Sequence, residues 1–181
     1  MRAIIASLLL VAAPAAALNE GLQCVPYARA LSGVTIFGDA HTWWDQAAGK
    51  YARGNRPEVG AVLAFQPHGN MRLGHVAAVR RIIDDRTILI SHANWSTING
   101  VRGHIEQDVR AVDVSADGDW SAVRVWFGPM SGLGLTVYPT KGFIYGNGAP
   151  QDALAVPTTP QIAHSVTGER GILTLVQDAG F

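Results

Sequence analysis

The spacing of apolar residues changes character three times along this chain. Behind the single charge of Arg2, residues 3–13 form an apolar run that ends in Pro14-Ala15-Ala16-Ala17, with small residues where a signal peptidase cuts. This predicts a removable secretory signal over residues 1–17. The run is shorter than the roughly 20 residues a membrane-crossing helix needs, and no later stretch is long enough or poor enough in charge to serve. From 23 to 31 the spacing becomes helical, and Pro26 limits where that helix starts, because proline is tolerated only in the first turn. Cys24 is thereby placed at or near the N-cap. A second helical pattern covers 39–48, with Trp43, Trp44 and Ala47 on one face, Gly49 as the stop, and Asp39 or Thr42 as the cap.

After Asn55-Arg56-Pro57 valine- and isoleucine-rich runs alternate with turns, which predicts strands over 61–65, 75–83, 87–92, 110–114 and 122–127. Turn chemistry stands between them at Gln66-Pro67-His68-Gly69-Asn70, Asp84-Asp85, Asn99-Gly100 and Asp117-Gly118-Asp119. Helices followed by an antiparallel sheet indicate an α+β fold. Beyond Phe127 glycine and proline thicken. Tyr138, Phe143, Ile144 and Tyr145 still suit packing on the sheet, whereas 147–181 reads as a poorly ordered tail. The expected organisation is a signal at 1–17, one domain at 18–146 and the tail.

Composition narrows the class. Removing the signal from 181 residues leaves about 160, enough for one domain with a sizeable core, and 48% hydrophobic content is that of a globular chain. Fourteen basic side chains balance fourteen acidic ones, so the basic footprint of a nucleic-acid binder is absent. After signal removal no stable membrane insertion is expected.

The single cysteine, Cys24, has four possible fates: buried filler, intermolecular bridge, lipid anchor or nucleophile. Lipid attachment calls for small residues just before the cysteine, and Gln23 fits poorly. A nucleophile needs its thiol pKa lowered, and the unpaired N–H groups of a helix start favour the thiolate and can also hold an oxyanion. It further needs an imidazole. His75 opens an apolar strand behind Gly74, at the mouth of the core. A polar group must then fix the ring, and alternation along Ile88, Ile90, His92 and Asn94 puts Asn94 on the appropriate face, so Asn94 is the expected orienter. Gln23, His92 and Trp95 are expected around these three as supporting or substrate-binding residues, with Trp95 lining the cleft and the tryptophans mostly core by default. His41, His68, His104 and His164 read as surface or capping residues. A rival set of zinc ligands, His68, His75, His92 and His104, lacks the spacing of a metallo-amidase helix; no metal and no cofactor is expected.

Five blocks carry a family resemblance: Leu22-Gln23-Cys24-Val25-Pro26-Tyr27-Ala28, Trp43-Trp44-Asp45-Gln46-Ala47, Pro57 to Phe65, Leu73-Gly74-His75-Val76-Ala77-Ala78-Val79, and Ser91-His92-Ala93-Asn94-Trp95. In order, spacing and flanking residues they resemble the CHAP family of cysteine- and histidine-dependent amidohydrolases and peptidases, over roughly residues 22–127. The resemblance implies a papain-like fold and cleavage of peptidoglycan amide bonds through a thioester, by a periplasmic or secreted protein. It also implies Cys24 as nucleophile, His75 as base and acid, and Asn94 as the polar partner. His92 departs from the family, many members having an acid there. That departure also suits a non-catalytic cell-wall-binding or envelope-assembly module. The residues do not distinguish an amidase from an endopeptidase.

Overall fold

The computed structural model describes residues 22–146; the expected signal and the tail from Asn147 lie outside the described residues. Helix α1 spans Cys24–Ser32 and ends where Gly33, at φ 69°, returns its N–H to the Arg29 carbonyl at 3.1 Å. A left-handed residue at this point releases the last turn, which glycine does without a steric cost. Gln23 occupies the N-cap with extended backbone and no side-chain cap, so Cys24 opens the first turn.

The second helical stretch is shorter than its sequence pattern. A 3-10 turn at Ala40–Thr42 runs into α2 at Trp43–Gln46. Neither Asp39 nor Thr42 supplies a side-chain cap. Thr42 Oγ1 instead bonds the Asp39 carbonyl at 2.7 Å, next to an i→i+3 bond from the Thr42 N–H, which tightens the turn.

The strands are β1 (Ala52–Gly54), β2 (Val62–Phe65), β3 (His75–Asp84), β4 (Thr87–Ala93), β5 (Ile105–Asp113), β6 (Ala122–Phe127), β7 (Gly132–Leu133) and β8 (Tyr138–Tyr145). All pairings are antiparallel, in the order β1-β8-β2-β3-β4-β5-β6-β7. A further pairing of β6 with β8, Ala122 opposite Pro139 and Val123 opposite Tyr138, closes β8, β2, β3, β4, β5 and β6 into a six-stranded antiparallel barrel. The chain is α+β as expected, with fewer helical residues than its pattern promised.

Strand alternation sorts side chains into two cores. Leu63, Phe65, Ala77, Val79, Ile88, Ile90, Val123, Val125 and Phe143 pack together with Trp95 and Trp120. From the other faces of β2, β3 and β8, Val62, Ala64, Val76 and Ile144 meet Ala28, Val34, Ile36, Trp43 and Ala47 of the helical layer. Each large side chain buried this fully is worth about 1.5–3 kcal/mol. These two layers seat the start of α1 against the start of β3.

Two strands depart from the sequence reading. Strand β5 begins at Ile105 rather than near residue 110, because Glu106 and Asp108 break the apolar pattern and Asp108 bulges at φ 50°. Strand β8 pairs with three neighbours despite Pro139 and Gly142. Gly142, at φ 115°, lies so close to the Gly54 carbonyl that no Cβ would fit. Among the described residues no helix is long and apolar enough to cross a membrane.

Candidate active site

Gln23, Cys24, His75, Asn94 and Trp95 line one open cleft of about 970 Å³, together with His68, Met71, Arg72, Arg102, Phe127 and Tyr138. Four elements converge to make it: the first turn of α1, the loop before β3, the segment after β4, and β8. Gly74 lets the loop before β3 pass close to the end of β2 and to the 3-10 turn. At φ 67°, a Cβ there would stand 2.8 Å from the Phe65 carbonyl oxygen and 3.1 Å from the His41 nitrogen.

Cys24 is half-buried. Desolvation raises its pKa above the ordinary 9.0, and the backbone N–H groups of Val76, Val25 and Cys24 itself pull in the opposite direction without prevailing. The N–H groups of the helix start thus favour the thiolate as expected, but burial outweighs them and they do not by themselves ionise the thiol. Iodoacetamide should accordingly alkylate Cys24 at a rate that climbs about tenfold per pH unit from pH 6 to 9. A plateau around neutral pH would instead reveal a preformed thiolate–imidazolium pair.

His75 is 3% exposed. Burial, with a smaller contribution from the positive charge of Arg102, pushes its pKa down to about 3. Its Nε2 lies 3.0 Å from Nδ1 of His92, a residue with no exposure at all. Burial and the neighbouring His75 hold His92 well below the ordinary 6.5. Both rings are thus neutral near pH 7. One of the two facing nitrogens donates and the other accepts, and only one arrangement leaves His75 a base. When His75 Nε2–H donates to His92 Nδ1, His75 Nδ1 keeps its lone pair for the cleft and His92 carries its proton on Nε2. That Nε2 is buried without a hydrogen-bond partner.

Trp95 packs both rings. It stacks on His92 at 5.2 Å and 25°, and tilts against His75 at 4.9 Å. Phe65 meets His75 edge-on at 5.5 Å. Trp95 Nε1–H donates to the Trp126 carbonyl at 3.1 Å. The next residue is pinned by the buried Glu106, whose carboxylate accepts from the Ser96 N–H at 2.8 Å and the Ser96 hydroxyl at 3.0 Å. The expected cleft-lining role of Trp95 is thus combined with a structural one.

Asn94 lines the cleft, but its side-chain hydrogen bonds go elsewhere than His75. Nδ2 donates to Gln23 Oε1 at 2.7 Å, and Oδ1 accepts from the Gly103 N–H at 3.1 Å. The reason is local. The β4–β5 register shifts between Ile90 and His92, and Asn94 turns the chain at φ 62°, so strict alternation does not extend to it. The neighbour that engages the His75 ring is His92, expected only as a supporting residue. Asn94 holds Gln23 beside Cys24.

The rival metal reading finds no gathered ligand set: among the described residues no three His, Cys, Asp or Glu side chains converge as a metal site would require. Arg102 went unnoticed in the sequence. The Ile98–Val101 bridge folds the loop back, and only the Asn99-Gly100 turn hints at that return.

Residues 15–94 match the family model of the CHAP domain, so the family resemblance of the sequence blocks is borne out there, although the match stops short of strands β5 to β8. No curated protein and no solved structure matches the chain.

Proposed function

We propose that this chain, which carries a CHAP domain, is an exported cysteine hydrolase that cleaves amide bonds of bacterial peptidoglycan. CHAP domains are in general hydrolase domains linked to peptidoglycan. The observation that carries the finer reading is the cleft that Cys24 and His75 line together, His75 being a buried imidazole whose Nε2 is held by His92. Export to the periplasm or beyond rests on the signal pattern of residues 1–17.

In this mechanism the neutral thiol and the neutral imidazole act in concert. Cys24 Sγ attacks the carbonyl carbon as its proton passes to His75 Nδ1, and the backbone N–H groups of the first turn and the amide of Gln23 receive the developing oxyanion. The C–N bond then breaks, His75 returns the proton to the leaving amine, and a thioester remains. Water, deprotonated by His75, hydrolyses the thioester and frees the thiol. A neutral His92 steadies the transient imidazolium through a dipole where a carboxylate would do so with full charge. A helix start seated against the mouth of a barrel strand suits this chemistry.

The test is mass spectrometry of fragments released from purified peptidoglycan. New amine and carboxyl ends at an amide bond are expected, and the masses distinguish lactyl–peptide cleavage from cleavage within the stem or cross-bridge. Release of sugar reducing ends alone, or of nothing, sinks the proposal.

A further inference from the structure

The strongest feature that the reaction scheme leaves unused is Arg102. It is an exposed residue of the cleft that holds Cys24 and His75. Its Nη2 donates to two adjacent carbonyls, Asn94 at 3.3 Å and Trp95 at 3.1 Å. The guanidinium is thus fixed on the segment that flanks the reacting groups, instead of sweeping through solvent. The ion pairs among the described residues are Arg80–Asp108 and Arg86–Asp113; Arg102 is in neither. A planar donor held in place with no carboxylate partner among the described residues suits a carboxylate brought by something else.

The surroundings agree. Arg72, also exposed and in neither ion pair, lines the cleft, and among the described residues Asp39 is its only acidic lining residue. In a chain with no net charge, the cleft carries a positive excess. Arg102 also acts electrostatically on His75, which puts its charge near the reacting groups.

We propose that Arg102 binds a free carboxylate of the substrate close to the scissile amide, so that the preferred substrate is an acidic peptide and amidation of its carboxylates weakens recognition. This deepens the hydrolase reading and rests on it for the site, since peptidoglycan stem peptides carry free carboxylates on their glutamyl and diamino-acid residues. Arg72 has no such anchoring and contributes a general attraction. The contact is open to solvent, so the preference is expected to shrink as ionic strength rises.

The experiment separates recognition from turnover by measuring binding to the Cys24→Ala protein. The probes are a muramoyl tetrapeptide with free carboxylates and the same molecule with every carboxylate amidated, titrated calorimetrically at low salt. The acid form should bind about ten- to hundredfold tighter, and Cys24→Ala/Arg102→Gln should lose that difference while binding the amidated form as before. Arg102→Lys should restore part of it. Equal affinity for the two probes, binding of neither, or a Gln variant weakened equally toward both overturns the proposal. Turnover of the same peptides by the wild-type protein is scored separately. Selective binding without turnover leaves the Arg102 assignment standing and removes the hydrolase reading; turnover of both forms at the same rate by wild type and Arg102→Gln does the reverse.

Discussion

Cys24→Ala is expected to bring peptidoglycan hydrolysis down to background, a loss of about four orders of magnitude or more, with little change in folding. The size follows from the mechanism: without Sγ no thioester forms, and residues that act as one nucleophilic unit lose nearly everything when one is removed. The small structural effect follows from position. The thiol is half-buried at a helix start, and removing one sulfur there costs about 1 kcal/mol or less. His75→Gln should be comparably inactive, with a larger stability loss because that ring is packed by Phe65, His92 and Trp95. The checks are turbidity clearance of sacculi and a denaturant melt of each variant. Wild-type clearance by Cys24→Ala would remove the cysteine mechanism. A Cys24→Ala protein with no phenotype that still pulls down on sacculi is the signature of a non-catalytic wall-binding module.

A large loss of stability is expected between pH 6.5 and pH 4. His75 and His92 are both buried, and burial pushes both pKa values down, to about 3 for His75. Above pH 6.5 neither the folded nor the unfolded chain holds the extra protons, and the stability is fully present. Below it the unfolded chain takes them up first, so stability falls with pH until the folded pKa values are reached. With its pKa pushed down to about 3, His75 contributes a slope of about 1.4 kcal/mol per pH unit in that window. A loss at that slope over more than two pH units is large against a typical total of about 5–15 kcal/mol, and His92 adds to it in the same direction. Urea midpoints measured from pH 7 to 4 should drop accordingly, and His92→Gln should make the slope shallower. A flat profile over that range, or an unchanged slope in His92→Gln, would show that these rings are not held neutral.

How much of this was legible beforehand depended on whether neighbours in sequence or in space decided the outcome. Strands β2, β3, β4 and β6 came within a residue or two of their predicted bounds, because their apolar runs are bounded by turn residues and nothing overrides them. β8 was seen only as residues able to pack. Its Pro139 and Gly142 argue against a strand locally, and partners on three strands supply what propensity lacks. The same division holds in the site. Cys24 and His75 were readable because a helix start and a strand mouth are local facts. The choice between His92 and Asn94 as the neighbour of the His75 ring was not, since it turns on a register shift between Ile90 and His92 and a positive φ at Asn94. The raised thiol pKa was likewise hidden, because desolvation is a property of the packed layers.

Barrel closure also sets a schedule. Strand β2 is clasped between β3 and β8, and β8 reaches back to β1 as well, so the last described strand fastens the first ones. A growing chain has Cys24 and His75 in hand early, yet the walls that bury His75 and shape the cleft cannot close until Tyr145 arrives. Pairings this distant in sequence make for slow folding. A chain interrupted before β8 would therefore carry Cys24 and His75 as separate groups, and the proposed chemistry would wait on completion of the barrel.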